Sequence, residues 1–189
     1  TGAGFYGSDG QSLKYSTNLI TWTDIVLSGL PADYYILSLV TDQGGAIYAV
    51  ILDNVDNSTT VYKIVFGSAV NISTSIGTKN PANILYFNNK AYLYDLDGII
   101  FKSTDGEIWT QTSAPAGTSL VVANNYLFIP GNDNSVLWLS RNDGGDWQSV
   151  GDTPPPSGLF TIFNNVVINE YDGYAYATLT NSVAKKSGN

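Results

Sequence analysis

The chain has 189 residues, of which 43% are apolar, 13% aromatic and 13% charged, and its formal net charge is −8. This is the length of one domain, and the aromatic content excludes an intrinsically disordered chain. Arg141 is the only arginine among the 8 basic residues, so a groove that tracks nucleic-acid phosphates is excluded. Because cysteine and histidine are absent, a thiolate nucleophile, Cys-ligated zinc and the commonest general base are excluded as well.

No apolar run approaches the roughly 20 residues of a membrane-spanning helix. We therefore expect no membrane span, and nothing in the sequence has the pattern of a signal peptide. Methionine is also absent, which indicates a processed product or a piece excised from a longer chain.

Taken in chain order, short apolar runs alternate with turns that are rich in Gly, Asn, Asp, Ser and Pro. Three clear examples are the runs 47–52, 91–94 and 166–168. No stretch shows the sustained spacing of apolar residues that is typical of an amphipathic helix. The pattern predicts an all-β fold, either a sandwich, a barrel or a propeller.

Internal repetition distinguishes among these folds. Asn-Asn pairs occur at 88–89, 124–125 and 164–165, and each is followed by a second polar turn and an aromatic-rich strand. The earlier turns Asp9-Gly10 and 53–58 fit the same order. Four strands in about 40 residues are typical of one propeller blade.

The sequence therefore predicts a single β-propeller domain over residues 1–189, with about five small blades of four strands. The repeat units are approximately 1–32, 33–82, 83–118, 119–158 and 159–189. The first unit begins at its second strand, and the last ends in a tail, 182–189, without a clear strand pattern. A fragment of a larger ring would have the same pattern.

The turn before the last strand of several units carries a second motif. Residues 103–109 read Ser-Thr-Asp-Gly-Glu-Ile-Trp, residues 140–147 read Ser-Arg-Asn-Asp-Gly-Gly-Asp-Trp, and 16–22 read Ser-Thr-Asn-Leu-Ile-Thr-Trp. The first two resemble the Asp box of the bacterial neuraminidase repeat, Ser/Thr-x-Asp-x-Gly-x-x-Trp, and the third resembles a degenerate copy. Units two and five lack the motif.

This resemblance implies a sialidase-like propeller in which the Asp-box hairpins lie away from the catalytic centre. It gives a structural role to eight residues: Ser103, Asp105, Gly106, Trp109, Ser140, Asn142, Gly144 and Trp147. In such a turn a short polar side chain accepts backbone N–H bonds, glycine takes the positive-φ position, and tryptophan packs on the next strand. Sialidases also clamp their substrate with an arginine cluster, which Arg141 alone cannot supply, so sialidase activity is excluded.

The turns between the second and third strands of the units predict a different kind of site. Half of the 16 acidic residues lie in or beside these turns, which would place a ring of carboxylates on one face of a propeller. The predicted ligand-binding residues are Asp97, Asp133, Asp172, Tyr94, Tyr171 and Trp138, the aromatic ones as platforms for sugar rings. The alternative is that Asp and Asn simply form good hairpin turns and that the aromatic rings pack between strands.

Two further readings of the acidic turns remain open. Asp95 and Asp97 resemble part of a Ca²⁺-binding loop, so calcium is the one cofactor that we consider. The remaining ligands of a self-contained loop are missing. Two carboxylates facing each other across a sugar would instead make a glycoside hydrolase.

We expect a non-catalytic recognition module on an exposed surface, binding carbohydrate or a cell-surface receptor. The acidic, Cys-free composition, rich in Tyr, Asn, Ser and Thr, fits an extracellular or virion-borne protein, such as a phage or bacterial surface protein. The alternatives are a structural or assembly module of a virion or filament, with protein neighbours as partners, and a two-carboxylate glycoside hydrolase.

Overall fold

The computed structural model describes residues 4–77, 80–117, 119–123, 126–130, 137–150, 169–171, 174–179 and 182–186. The chain divides into two compact units. Unit 1 comprises Thr1–Asp95 and Phe101–Thr110, and unit 2 comprises Leu96–Ile100 and Gln111–Asn189.

Within the described residues, eighteen strands form five sheets, and in every sheet the strands lie in sequence order. Sheet one contains β1 (Phe5–Ser8), β2 (Leu13–Ser16) and β3 (Thr23–Ile25). Sheet two contains β4 (Tyr34–Thr41), β5 (Ile47–Asp53), β6 (Ser58–Val65) and β7 (Ser68–Asn71). The short helix α1 (Ser73–Ile76) follows sheet two and ends at Gly77, whose φ is 76°.

The later sheets repeat this arrangement. Sheet three contains β8 (Pro81–Phe87), β9 (Lys90–Asp95), β10 (Ile100–Ser103) and β11 (Thr110–Gln111). Sheet four contains β12 (Val121–Ala123), β13 (Tyr126–Pro130), β14 (Leu137–Ser140) and β15 (Gln148–Val150). Sheet five contains β16 (Asn169–Tyr171), β17 (Tyr174–Leu179) and β18 (Ser182–Lys186).

The main core of unit 1 lies between sheets one and two. Strand β5 is buried from Ile47 to Ile51, as expected for a short continuous apolar run in the middle of a covered sheet. Its side chains pack with Leu13 of β2 and Ile36 of β4 in one apolar cluster. The neighbouring strands β4 and β6 pair with β5 in antiparallel register.

The prediction of an all-β chain is confirmed. The tail 182–189, which has no clear strand pattern in the sequence, contains β18, which pairs with β17 so that Ala177 is opposite Lys185. Main-chain hydrogen bonds form this strand although its side chains have weak β-preference. In the described part of the chain, no helix has the length and apolar character that crossing a membrane requires.

Candidate functional site

The turn between β10 and β11 is organised by the side chains of Ser103 and Asp105. The Ser103 hydroxyl lies 3.0 Å from Asp105 Oδ1, to which it donates, and it accepts the Gly106 N–H at 2.8 Å. Asp105 Oδ1 also accepts the N–H groups of Glu107 and Ile108, each at 2.8 Å. Because backbone N–H groups donate to the carboxylate, first from Ile108 and then from Glu107, the pKa of Asp105 is lowered.

The turn between β2 and β3 has the same hydrogen bonds with Asn18 in place of the aspartate. Ser16 Oγ accepts the Leu19 N–H at 2.9 Å, and Asn18 Oδ1 accepts the next two N–H groups at 2.9 and 2.8 Å. Leu19 has a φ of 61°, whereas Gly106 has a φ of 71° at the equivalent position. The backbone conformation is therefore kept even where the glycine is missing.

The turn between β14 and β15 is a longer version of this arrangement. Ser140 Oγ accepts the Gly144 N–H at 2.9 Å, and Asn142 Oδ1 accepts the Asp146 N–H at 2.7 Å. The additional residue, Asp143, has a φ of 57° and precedes Gly144 at 75°. Asp and Asn therefore serve the same purpose in these three turns, as acceptors for backbone N–H groups.

In unit 1 the turn after β10 also packs against sheet two. Trp109 lies edge-on to Tyr48 of β5, with ring centroids 6.5 Å apart and planes at 77°, and its Nε1 donates to the Gly106 carbonyl at 3.3 Å. A Cβ atom on Gly106 would overlap the Tyr48 ring. Lys63 Nζ lies 3.5 Å from Glu107 Oε1 and 5.9 Å from the Tyr48 ring centroid.

The other two tryptophans of these turns differ from Trp109. Trp22 is partly exposed and lies beside Gly7 of its own sheet, 3.2 Å from where a Cβ would stand. Trp147 is half-buried, and within the described residues its Nε1 is a buried group without a hydrogen-bond partner.

In the acidic turns of unit 1, the carboxylates bind donor groups of residues close to them in the chain. Asp9 Oδ1 accepts the Ser12 N–H at 2.8 Å, and Lys14 Nζ lies 3.1 Å from Asp9 Oδ2. The Ser12 N–H and the Lys14 ammonium hold the pKa of Asp9 well below its usual range. In the turn before β6, the hydroxyl and then the N–H of Ser58 lower the pKa of Asp56.

The predicted ligand-binding residues that the structure describes differ in their exposure to solvent. Asp97 is exposed in the turn after β9. Tyr94 is 6% exposed, and burial raises the pKa of its phenol, so its ring does not form the predicted sugar platform. Trp138 is half-buried in β14, where its backbone is opposite Ile129.

The remaining predicted residues are only partly described. Asp133 and Asp172 lie outside the described residues, and only the backbone of Tyr171 is described, opposite Tyr174 at the end of β16. Of the predicted calcium pair, Asp95 is 2% exposed while Asp97 is exposed. The described part of the chain brings together no group of three or more acidic side chains that would hold a metal ion.

Unit 1 contains a cavity that the sequence did not predict. It has a volume of about 430 Å³ and is lined by side chains from sheets one and two together with the turns 44–46 and 65–67. The fully exposed Phe66 stands at its edge. One feature of the sequence could have indicated this site: unit two has a Phe-Gly pair at 66–67, where other units carry the Ser-x-Asp/Asn turn.

Comparisons with solved structures indicate the fold class. A YCF48 structure bound to a D1 peptide has a TM-score of 0.58 at 13% identity, covering 94% of this chain and 61% of that chain. YCF48 from Cyanidioschyzon merolae has a TM-score of 0.52 at 11% identity, covering 85% and 58%. A protein of unknown function from Bacteroides caccae has a TM-score of 0.55 at 10% identity, covering 92% and 66%.

At these identities the similarity concerns the fold alone, and the chain spans about three fifths of the length of the two YCF48 structures. A comparison with curated protein sequences finds no match. Residues 39–159 match the model of the DUF6242 beta propeller domain. The prediction of a β-propeller is thereby confirmed, and the chain belongs to the DUF6242 beta propeller domain family.

Proposed function

We propose that this propeller is a non-catalytic recognition module that binds a cell-surface receptor. The observation that carries the proposal is the exposure of large apolar side chains in turns and loops. Six of them are at least 68% exposed: Ile20, Val26, Val55, Phe66, Leu96 and Ile108. Large apolar side chains in water contribute nothing to folding, and exposed apolar side chains in turns are available for contacts with other macromolecules.

Three carboxylates in turns are unsuited to acid catalysis. A glycoside hydrolase needs one carboxylic acid with a raised pKa as its general acid. Asp9, Asp56 and Asp105 have lowered pKa values, because backbone and side-chain donors stabilise the charged form. These three carboxylates are therefore suited to holding turns and not to donating protons, which argues against the two-carboxylate hydrolase for this set.

We further assign the three Ser-x-Asp/Asn turns as Asp boxes. Their shared hydrogen bonds to backbone N–H groups, at 2.7–2.9 Å, support the assignment. Counting each of the five sheets as one blade supports a propeller of about five blades.

The described side chains favour a protein receptor over carbohydrate. The ring of Tyr94 is buried and is not exposed to a sugar, whereas Asp97 remains exposed in its turn. The YCF48 structure bound to a D1 peptide shows that a propeller with a similar fold binds a peptide. An extracellular or virion surface fits the acidic, Cys-free composition.

Binding assays on two arrays, one of glycans and one of receptor ectodomains, test this function. We expect specific binding to ectodomains, and no hydrolysis of a panel of glycans measured by release of reducing sugar. Glycan binding that is lost in Asp97→Ala but kept in the matched variant Asp24→Ala would assign carbohydrate as the ligand instead. Failure to bind on both arrays at high avidity would contradict recognition and favour the assembly module.

A further inference from the structure

The hairpin between β6 and β7 carries a residue that neither its backbone nor its packing explains. Phe66 and Gly67 form a two-residue turn with φ of 50° and 80°. Such turns favour Asn, Asp and Gly, because a bulky side chain at positive φ is crowded. The Phe66 side chain is nonetheless fully exposed. An unfavourable backbone conformation and an exposed aromatic ring at one position are typical of a contact residue.

Phe66 stands beside the cavity of about 430 Å³ in unit 1. The buried side chains of Ile47 and Ile64 line the cavity, with Tyr6 and Ile25 of sheet one. This volume lies in the range of about 300–1,000 Å³ that is usual for ligand sites. None of the described residues that line the cavity is Asp, Glu, Lys or Arg, so we infer that the group that enters it is uncharged and largely apolar.

The charges around the cavity indicate the character of the partner. At the end of sheet two that lines the cavity, the acidic residues are Asp42, Asp105 and Glu107, and Lys63 opposes them. Lys14 pairs with Asp24 at 2.6 Å, and Lys63 lies near Glu107. At the cavity edge, Asp42 Oδ1 accepts the Ala46 N–H at 2.9 Å and so places a carboxylate in the lining turn. A basic segment is complementary to this surface, whereas a second copy with net charge −8 is repelled.

We propose that this cavity, with Phe66 at its edge, binds a Leu, Ile or Phe side chain of an extended segment of another protein, and that Lys or Arg residues flank that side chain. The proposal rests on the recognition function and names the partner's chemistry and its contact site. Phe66 covers the inserted side chain, and the flanking cations lie over the acidic surface of unit 1.

The test uses an array of short synthetic peptides with a central Leu, Phe or Ser, flanked either by Lys or by Glu. Fluorescence anisotropy then gives the affinity of the strongest binders. We expect binding only when Leu or Phe is central and Lys flanks it. Phe66→Asn is expected to weaken this binding about tenfold or more. Its melting temperature is expected to be unchanged or higher, because Asn is accepted at positive φ.

Two further variants test whether the peptide binds in the cavity. Ala46→Leu adds volume at a lining position and is expected to abolish peptide binding. Val70→Asn makes the same type of change as Phe66→Asn at an exposed apolar residue of β7 that does not line the cavity, and is expected to leave binding unchanged.

Four other results would contradict the proposal, because each would show that the cavity is not the binding site or that its occupant is not a basic peptide. Equal binding by wild type, Phe66→Asn and Ala46→Leu would overturn the site while leaving the recognition function intact. Equal binding of peptides with central Ser would show that only charge is recognised. A dimer in analytical ultracentrifugation that dissociates in Phe66→Asn would assign a second copy as the occupant. If no peptide binds, the inference is overturned, and the ectodomain and glycan arrays decide the recognition function separately.

Discussion

At the scale of single residues, all three Ser-x-Asp/Asn turns require a residue with positive φ, but they do not all use glycine for it. Gly106 and Gly144 adopt positive φ without a Cβ, whereas Leu19 holds a φ of 61° with its side chain 56% exposed. Left-handed backbone in a residue with a Cβ costs about 1–2 kcal/mol. The Ser16 and Asn18 hydrogen bonds impose that conformation.

We therefore predict that Leu19→Gly stabilises the protein by about 0.5–1 kcal/mol, since the relief of strain exceeds the greater entropy that glycine gains in the unfolded chain. Urea unfolding followed by fluorescence measures this difference. Leu19→Ala is the control, because it keeps the Cβ and should give no such gain. Greater stability in the alanine variant would contradict the role of the backbone conformation.

Gly106 is subject to a second restriction that Gly45 does not share. Both have positive φ, 71° and 83°, but a Cβ on Gly106 would overlap the Tyr48 ring, while a Cβ on Gly45 would have nothing within 4 Å. We predict that Gly45→Ala costs about 1 kcal/mol from strain alone. Gly106→Ala should cost at least about 2 kcal/mol, because overpacking adds to that strain. Equal losses in thermal unfolding would show that the Tyr48 contact is unimportant.

At the scale of elements, the turns explain why Asp and Asn recur between strands. One side-chain oxygen accepts two consecutive N–H groups in the turns of Asp105 and Asn18, so the hairpin closes without help from distant residues. The Asp9 and Asp56 turns use their carboxylates in the same manner. Many acidic residues of this chain therefore have a structural reason to be in turns.

The lowered pKa of Asp105 gives this element a pH dependence. The folded state favours the charged carboxylate, so its contribution to stability is present above the unfolded pKa of about 4 and is lost as the pH falls further. We predict that Asp105→Asn retains the hairpin, because Asn18 and Asn142 hold the equivalent turns. Between pH 5 and pH 2.5, the melting temperature of this variant should fall less than that of the wild type. Asp105→Ala should melt lower at every pH. An unchanged acid dependence in Asp105→Asn would contradict this mechanism.

At the scale of the whole molecule, stability also depends on aromatic groups that the folded chain keeps uncharged. Burial, and then the nearby Asp42 carboxylate, raise the pKa of Tyr48 to about 12. Its hydroxyl lies 3.4 Å from Asp42 Oδ2, and its ring is covered by Gly106 and Trp109. Ionisation of Tyr48 would therefore place a charge within the packing of sheet two against the β10–β11 turn, which disfavours the ionised form.

The folded state favours neutral Tyr48, so its contribution is complete below the unfolded pKa of 10 and is lost as the pH rises toward about 12. We predict that the wild-type protein loses up to about 2 kcal/mol from this group across that interval. Tyr48→Phe should show a correspondingly smaller alkaline loss, measured by urea unfolding at pH 8 and pH 11. Identical losses in both proteins would show that folding does not raise the pKa of Tyr48.

Much of the fold could be predicted from the sequence because its determinants are local. Asp-Gly and Asn-Asn pairs mark turns, and apolar runs between them mark strands, so the all-β propeller and the Ser-x-Asp/Asn turns were predictable. The strand Ser182–Lys186 was not, because its side chains have no strand pattern and its pairing with β17 supplies the backbone hydrogen bonds.

The candidate site depended on contacts between residues that are distant in the chain. Position next to an acidic turn suggested that Tyr94 was a ligand platform, but packing in sheet three buries its ring. The cavity beside Phe66 joins Tyr6, Ile47 and Ile64, which come from different strands and two sheets. The sequence by itself determined the turns and strands, since these depend on neighbours in the chain. Only the tertiary structure decided which aromatic rings are covered and where a cavity remains open, because burial depends on which sheets pack together.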